Sequence, residues 1–143
     1  MKITRTGSAA WQGGLKDGKG SISTESGALK AYPYGFATRF EGARGSNPEE
    51  LIAAAHASCF SMALSAELEK VGLTPENIDS KATVSLDKVE TGFAVTTSHL
   101  EVTVKLANPD KSKFERAAEA AKVGCPISKL IAAAKITLDA KLA

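Results

Sequence analysis

The stretch NPEELIAAAHASCFSMAL, residues 47–64, carries the strongest helix signal in the chain. Asn47 is a favourable N-cap, and Pro48 suits the first helical position because its fixed φ matches a helix. Glu49 and Glu50 follow in the first turn, where carboxylates complement the positive end of the helix dipole. We therefore predict a long helix that begins directly after Asn47.

The body of this helix, Leu51 to Leu64, is apolar or small nearly all round. A helix without a polar face is buried on every side, so we predict a long central helix in the core. This apolar run is shorter than the roughly 20 residues of a membrane-spanning helix, which argues against a membrane protein. Gly72 and Pro75 predict where the helix ends.

Composition places the chain among ordinary globular proteins. It has 143 residues, 18 Lys and Arg against 16 Asp and Glu, and a formal charge of +2. This balance gives no reason to expect nucleic acid or an anionic membrane as a partner. The length suits a single domain, residues 1–143. Residues 1–11 contain no apolar run of the kind a signal peptide needs, so we expect a cytoplasmic protein with reduced thiols.

Strand-like alternation surrounds the central helix on both sides. Before it, the candidates are Ile3–Trp11, Ser21–Glu25 and Gly35–Glu41. In the last of these, one face would carry Phe36, Thr38 and Phe40 and the other Ala37, Arg39 and Glu41. After it, a strand through Ala82, Val84 and Leu86 leads to a turn at 90–92 and a returning strand through Leu100 to Leu106. Two helices follow, one over Lys111 to Val123 and a short one opened by Cys125 and Pro126. A last strand covers Ile136 to Leu142. The returning strand slips in phase between Val95 and Leu100, which predicts a bulge. This order indicates an α+β fold with antiparallel sheets.

Two cysteines are the first candidates for chemistry. Cys59 lies inside the central helix, where a buried structural residue is the usual outcome. Cys125 lies at a helix start, where backbone amides and the dipole stabilise a thiolate. His56 precedes Cys59 by three residues, so both lie on one helix face. A metal site built from these three residues and His99 is conceivable, although the spacing is not that of a zinc motif.

Arg39 and Glu49 have ordinary interpretations when each is taken alone. Arg39 would be a solvated strand residue with Glu41 as its candidate partner, and Glu49 would complement the helix dipole.

Five segments together resemble one family: TRFEG at residues 38–42, NPEEL at 47–51, AAAHASCF at 53–60, VSLDKV at 84–89 and GCPIS at 124–128. They resemble the OsmC/Ohr family of thiol peroxidases, and more closely the osmotically inducible OsmC branch than the organic-hydroperoxide-resistance branch. The resemblance covers essentially the whole chain. It implies the OsmC-like fold, α+β with antiparallel sheets around a long central helix, as an intertwined homodimer.

The resemblance also implies a reaction. Cys59 would be the peroxidatic cysteine and Cys125 the resolving one, while Arg39 and Glu49 would activate the thiolate and bind the peroxide. The protein would reduce organic hydroperoxides, and hydrogen peroxide more weakly, in oxidative and osmotic stress defence. No metal or organic cofactor is expected, and a dithiol or lipoyl-type reductant would reopen the disulfide. A non-enzymatic redox sensor using the same disulfide is the alternative.

Helix geometry bears on how the four residues meet. Ten residues separate Glu49 from Cys59, which on one helix corresponds to about 15 Å along the axis. A Glu side chain cannot close that gap. We therefore predict that Glu49 serves the Cys59 of the other chain in a dimer with antiparallel central helices.

Overall fold

The computed structural model describes all of residues 1–143. Its elements, in chain order, are β1 (Gly7–Gln12), β2 (Lys19–Thr24), β3 (Tyr32–Tyr34), α1 (Phe36–Phe40), α2 (Pro48–Lys70), β4 (Pro75–Val89), β5 (Gly92–Leu106), α3 (Lys111–Gly124), α4 (Pro126–Leu130) and β6 (Lys135–Leu142). The chain divides into two compact units, Met1–Leu51 and Ile52–Ala143. That they form one domain stays a prediction. The α+β class is confirmed.

The first unit holds a three-stranded antiparallel sheet in the order β1-β2-β3. The third strand differs from the prediction, because Gly35–Glu41 contains helix α1 rather than a strand. Phe36 and Phe40 are four residues apart, a spacing that fits one face of a strand and one face of a helix equally well. The Gly35 N–H donates to Thr38 Oγ1 at 3.0 Å and closes the first helical turn. The two phenyl rings then lie 4.9 Å apart between centroids.

The predicted start of α2 is confirmed. Asn47 Oδ1 accepts a hydrogen bond from the Glu50 N–H at 2.8 Å, as an N-cap does. After the last helical residue, Gly72 adopts a φ of 81°, a left-handed conformation that glycine tolerates best. At 23 residues, α2 is longer than its apolar stretch suggested, and by length and composition alone it could cross a membrane. The core helix of a soluble protein passes the same test.

Burial of α2 follows one stripe rather than its whole circumference. From residue 56 onward the buried side chains of α2 recur every four residues and are His56, Phe60, Leu64 and Leu68, while Glu49 is buried in the first turn. An opposite stripe with the same spacing is exposed and consists of Ala54, Ser58, Met62 and Ala66. Within one chain α2 is therefore buried along one face only, and its burial on every side stays a prediction that needs a second chain.

The second sheet contains β4, β5 and β6, with β5 in the middle. β4 and β5 form the predicted antiparallel hairpin, with Val89 opposite Gly92 at the turn. The predicted bulge is present, because Ser85 pairs with Thr97 and the next residue of β4 pairs with Val95, which leaves one extra residue on β5. β6 runs parallel to β5, whereas antiparallel pairing was expected. The intervening helices α3 and α4 allow this crossover, which a tight hairpin cannot make.

The core of the second unit lies between this sheet, α2 and α3. The helix α3 was predicted with nearly its observed limits, and its buried residues are Phe114, Ala117, Ala118 and Ala121. They pack with the apolar residues of the buried stripe of α2 and with alternate residues of β5: Leu100, Val102, Val104 and Leu106.

Candidate active site

The two cysteines are in direct contact. Cys125 Sγ lies 2.7 Å from Cys59 Sγ, and both thiols are free. Cys59 projects from the middle of α2, while Cys125 is fully buried and is the N-cap residue of α4. A disulfide has a sulfur–sulfur distance of about 2.05 Å, so the two sulfurs need to approach by only about 0.6 Å to bond. The two sulfurs are therefore close enough to form a disulfide.

The surroundings of Cys59 favour its protonated form. Burial raises the pKa of the Cys59 thiol, and the neighbouring Cys125 raises this pKa further. A hydrogen bond from the backbone N–H of Ile127, in the first turn of α4, acts in the opposite direction. The net pKa lies above the ordinary value, so a further positive charge is needed to make Cys59 a thiolate at neutral pH.

Arg39 and Glu49 form an ion pair within the first unit. Arg39 Nη2 lies 2.7 Å from Glu49 Oε1, and Arg39 Nε lies 3.2 Å from both carboxylate oxygens. The Glu49 side chain is only 11% exposed, whereas that of Arg39 is 37% exposed. The interpretation of Arg39 as a solvated strand residue is therefore wrong, because Arg39 lies on α1 and pairs with Glu49 rather than Glu41. A carboxylate on one side of a guanidinium fixes its plane and leaves its other N–H groups available.

An apolar cleft borders Arg39. It has a volume of about 200 Å³, and apart from Arg39 its lining residues are Trp11, Leu15, Tyr34, Gly35, Phe36 and Phe40. The guanidinium carbon of Arg39 also lies 5.3 Å from the centroid of the Phe40 ring. A cationic group therefore stands at the edge of an aromatic surface. Such a site suits a ligand with one polar and one apolar end.

His56 is fully buried and hydrogen-bonded at both ring nitrogens. Its Nδ1 lies 2.7 Å from Ser98 Oγ and its Nε2 lies 2.8 Å from Ser128 Oγ. Burial lowers the pKa of His56, so the ring is neutral at physiological pH. Both nitrogens are occupied, and no group of three or more His, Cys, Asp or Glu side chains is arranged to hold a metal ion. The conceivable zinc site is therefore not formed.

Ser98 and Ser128 are the residues that sequence reasoning missed. Ser98 continues the even-numbered phase of buried residues on β5, so its inward direction could have been inferred. Ser128 lies three residues after Cys125 in a helix too short to show a pattern. Of the predicted site residues, the structure brings together Cys59 with Cys125, and separately Arg39 with Glu49. That both pairs serve one reaction stays a prediction.

Comparison with known proteins places the chain among relatives along its whole length. The model of the family described as OsmC-like protein matches residues 41–141. Peroxiredoxin OsmC of Escherichia coli K12 is 54% identical over 142 residues, 99% of each chain. Organic hydroperoxide resistance protein OhrB of Bacillus subtilis is 32% identical over 104 residues, 71% of each chain.

The crystal structure of Bacillus subtilis OhrB also shares the fold. It superposes with a TM-score of 0.67 at 26% identity, covering 96% of this chain and 98% of that one. The family match, the full-length relative and the common fold show that this chain belongs to the OsmC-like protein family.

Proposed function

We propose that this protein is a thiol-dependent peroxidase that reduces organic hydroperoxides to alcohols through a disulfide between Cys59 and Cys125. The observation that carries the proposal is the contact of two free thiols at 2.7 Å, one on α2 and one at the start of α4. The enzyme class is supported by the Escherichia coli relative, which is named a peroxiredoxin and is 54% identical over the whole chain.

The reaction proceeds in two steps at sulfur. The Cys59 thiolate attacks the distal oxygen of the hydroperoxide, the O–O bond breaks, and the alkoxide leaves as an alcohol after taking up a proton. The resulting sulfenic acid is attacked by the Cys125 sulfur, the S–O bond breaks, and water leaves with the thiol proton. An external dithiol, of the lipoyl type by family resemblance, then reduces the disulfide by thiol exchange.

Arg39 supplies the positive charge that this reaction needs. Because burial and Cys125 raise the pKa of Cys59, a guanidinium beside the sulfur would stabilise the thiolate and donate to the peroxide oxygen as negative charge develops there. Glu49 holds that guanidinium through the ion pair at 2.7 Å. We assign Arg39 and Glu49 to the catalytic centre together with Cys59 and Cys125.

The substrate preference follows from the apolar surroundings of Arg39. An alkyl or aryl group can lie against the aromatic lining of the cleft while the peroxide group meets the guanidinium. Hydrogen peroxide has no apolar part to bury, so it should be reduced more weakly. The protein would work as a homodimer in the cytoplasm, in defence against oxidative and osmotic stress, without a metal or organic cofactor.

Consumption of cumene hydroperoxide by the wild type and two cysteine variants tests this proposal. With dihydrolipoamide present, the wild type should turn over continuously. Cys59→Ser should consume none, and Cys125→Ser should consume about one equivalent per chain, then stall or over-oxidise. Full turnover by Cys59→Ser would refute the assignment. A wild type that stops after one equivalent despite the reductant would instead be the redox sensor.

A further inference from the structure

The hydrogen bond between His56 and Ser128 and the contact between Cys59 and Cys125 join the same two segments of the chain. On α2, His56 precedes Cys59 by three residues, and across from it Cys125 precedes Ser128 by three residues. His56 Nε2 meets Ser128 Oγ at 2.8 Å, and Cys59 Sγ meets Cys125 Sγ at 2.7 Å. The same two segments are thus joined twice, by one hydrogen bond and one sulfur contact about one helical turn apart.

Ser128 is the one buried residue of α4. This helix has five residues, of which Ile127 is half-buried and Leu130 is 78% exposed. A helix this short has little stability of its own and depends on tertiary contacts for its position. The hydrogen bond between Ser128 Oγ and His56 Nε2 is therefore a buried side-chain contact that ties α4 to α2.

The opposite nitrogen of His56 fixes the imidazole ring itself. Ser98 on β5 is fully buried and meets Nδ1 at 2.7 Å. Every buried polar side-chain atom in the chain has a hydrogen-bond partner, and the hydroxyls of Ser98 and Ser128 are both paired with the imidazole ring. A neutral imidazole donates from one nitrogen and accepts at the other, and each serine hydroxyl can take the complementary part. The ring is thus held rigidly between the sheet and α4.

We propose that His56 and Ser128 are positioning residues that hold the start of α4 against α2, and so keep the Cys125 sulfur within bonding distance of Cys59. Neither residue touches the substrate. Loss of their hydrogen bond would let α4 move, which increases the mean distance between the sulfurs. It would also withdraw the Ile127 N–H that acts on Cys59. This inference rests on the proposed roles of the two cysteines.

Equilibration with glutathione measures how readily Cys59 and Cys125 form a disulfide, and it needs no peroxide. Oxidised glutathione converts the two thiols to the intramolecular disulfide and releases two molecules of reduced glutathione, so electrons and protons balance. The equilibrium constant reports the effective concentration of one thiol at the other. In the full-length protein, Ser128→Ala should lower this constant about tenfold, which corresponds to the loss of one buried hydrogen bond.

Two matched variants separate positioning from general loss of stability. Ser61→Ala removes a hydroxyl on α2 that bonds to Ser80 on β4 at 2.8 Å and has no link to α4. Ser98→Ala removes the other partner of His56 and leaves its bond to Ser128. The equilibrium constant should change less than twofold in Ser61→Ala and less in Ser98→Ala than in Ser128→Ala. Urea unfolding of each variant gives the accompanying loss of stability.

The result that overturns the inference is equally direct. If Ser128→Ala has the same equilibrium constant as Ser61→Ala, or if the constant simply follows the urea midpoint across the three variants, α4 is not positioned by this bond. Because glutathione replaces peroxide, this outcome leaves the proposed peroxidase intact. Conversely, a tenfold effect in a protein that fails to turn over peroxide would refute the proposed function and leave the positioning role in place.

Discussion

At the scale of single residues, Arg39 should affect both stability and thiol chemistry. Arg39→Ala leaves Glu49, which is 11% exposed, without its cation, and we expect it to lower the free energy of unfolding by about 1–2 kcal/mol. A solvated strand arginine would have contributed almost nothing. If Arg39 also serves Cys59, the variant raises the pKa of that thiol still further and slows peroxide attack. Urea unfolding and titration of thiolate absorbance measure the two effects.

Arg44→Ala is the matched control for this prediction. Arg44 has the same charge, is exposed and lies in the loop between α1 and α2. Its removal should leave both the urea midpoint and the thiolate titration near wild type. If Arg39→Ala lowers stability but gives the wild-type titration curve, Arg39 is structural and has no part in activating Cys59.

At the scale of elements, the attachment of α2 to its neighbours should weaken in acid through His56. Burial lowers the pKa of this histidine below 6.5, so the folded protein binds fewer protons there than the unfolded chain. The corresponding stability is fully present above about pH 6.5 and is lost as pH falls below that value. The urea midpoint of the wild type should therefore drop between pH 7.5 and 5.5 by more than that of His56→Asn.

Ser98→Ala provides the comparison for the pH effect. It removes a hydrogen bond from the same cluster and keeps the titrating imidazole, so its midpoint should be lower at both pH values yet still drop in acid. Equal acid sensitivity of the wild type and His56→Asn would show that other groups cause the loss.

At the scale of the whole molecule, the exposed stripe of α2 indicates association of two chains. Met62 in this stripe is 78% exposed, an unusual position for a large apolar side chain in the middle of a long helix. We expect a homodimer in which this face is covered. Met62→Lys should place a charge in the interface and shift the protein to monomer in sedimentation velocity at micromolar concentration.

Leu130→Lys is the control, because Leu130 is equally exposed, at 78%, but lies on α4. It should sediment as the wild type does. A Met62→Lys protein that remains a dimer would show that this face is not the interface, and a monomeric wild type would refute the dimer itself.

The dimer also determines how Glu49 can reach the chemistry. Ten residues along α2 correspond to about 15 Å, so we predict that Glu49 acts on the Cys59 of the other chain. Glu49→Ala and Cys59→Ser homodimers should both be weak or inactive. A mixed dimer should then contain one intact site and recover about half of the wild-type activity. If Glu49 acts within its own chain, both sites of the mixed dimer are defective and activity stays absent.

Local signals in the sequence determined most of the elements and much of the packing. The N-cap at Asn47, the stop at Gly72, the bulge in β5 and the buried face of α3 all follow from interactions between residues close in sequence, which residue pattern records directly. The family resemblance pointed to both cysteines from their flanking motifs. The sequence alone therefore predicted both cysteines as candidate site residues.

Other features depend on contacts between residues distant in sequence, and only the tertiary structure decided them. The parallel pairing of β6 with β5 leaves no mark on the alternation of either strand. The residue pattern of Phe36–Phe40 fits a strand and a helix equally well, and hydrogen bonds that the pattern does not record make the segment helical. His56 meets its serine partners across 42 and 72 residues, and Cys59 meets Cys125 across 66. The residue pattern shows which face of an element is apolar, whereas the tertiary contacts determine which other element packs against that face.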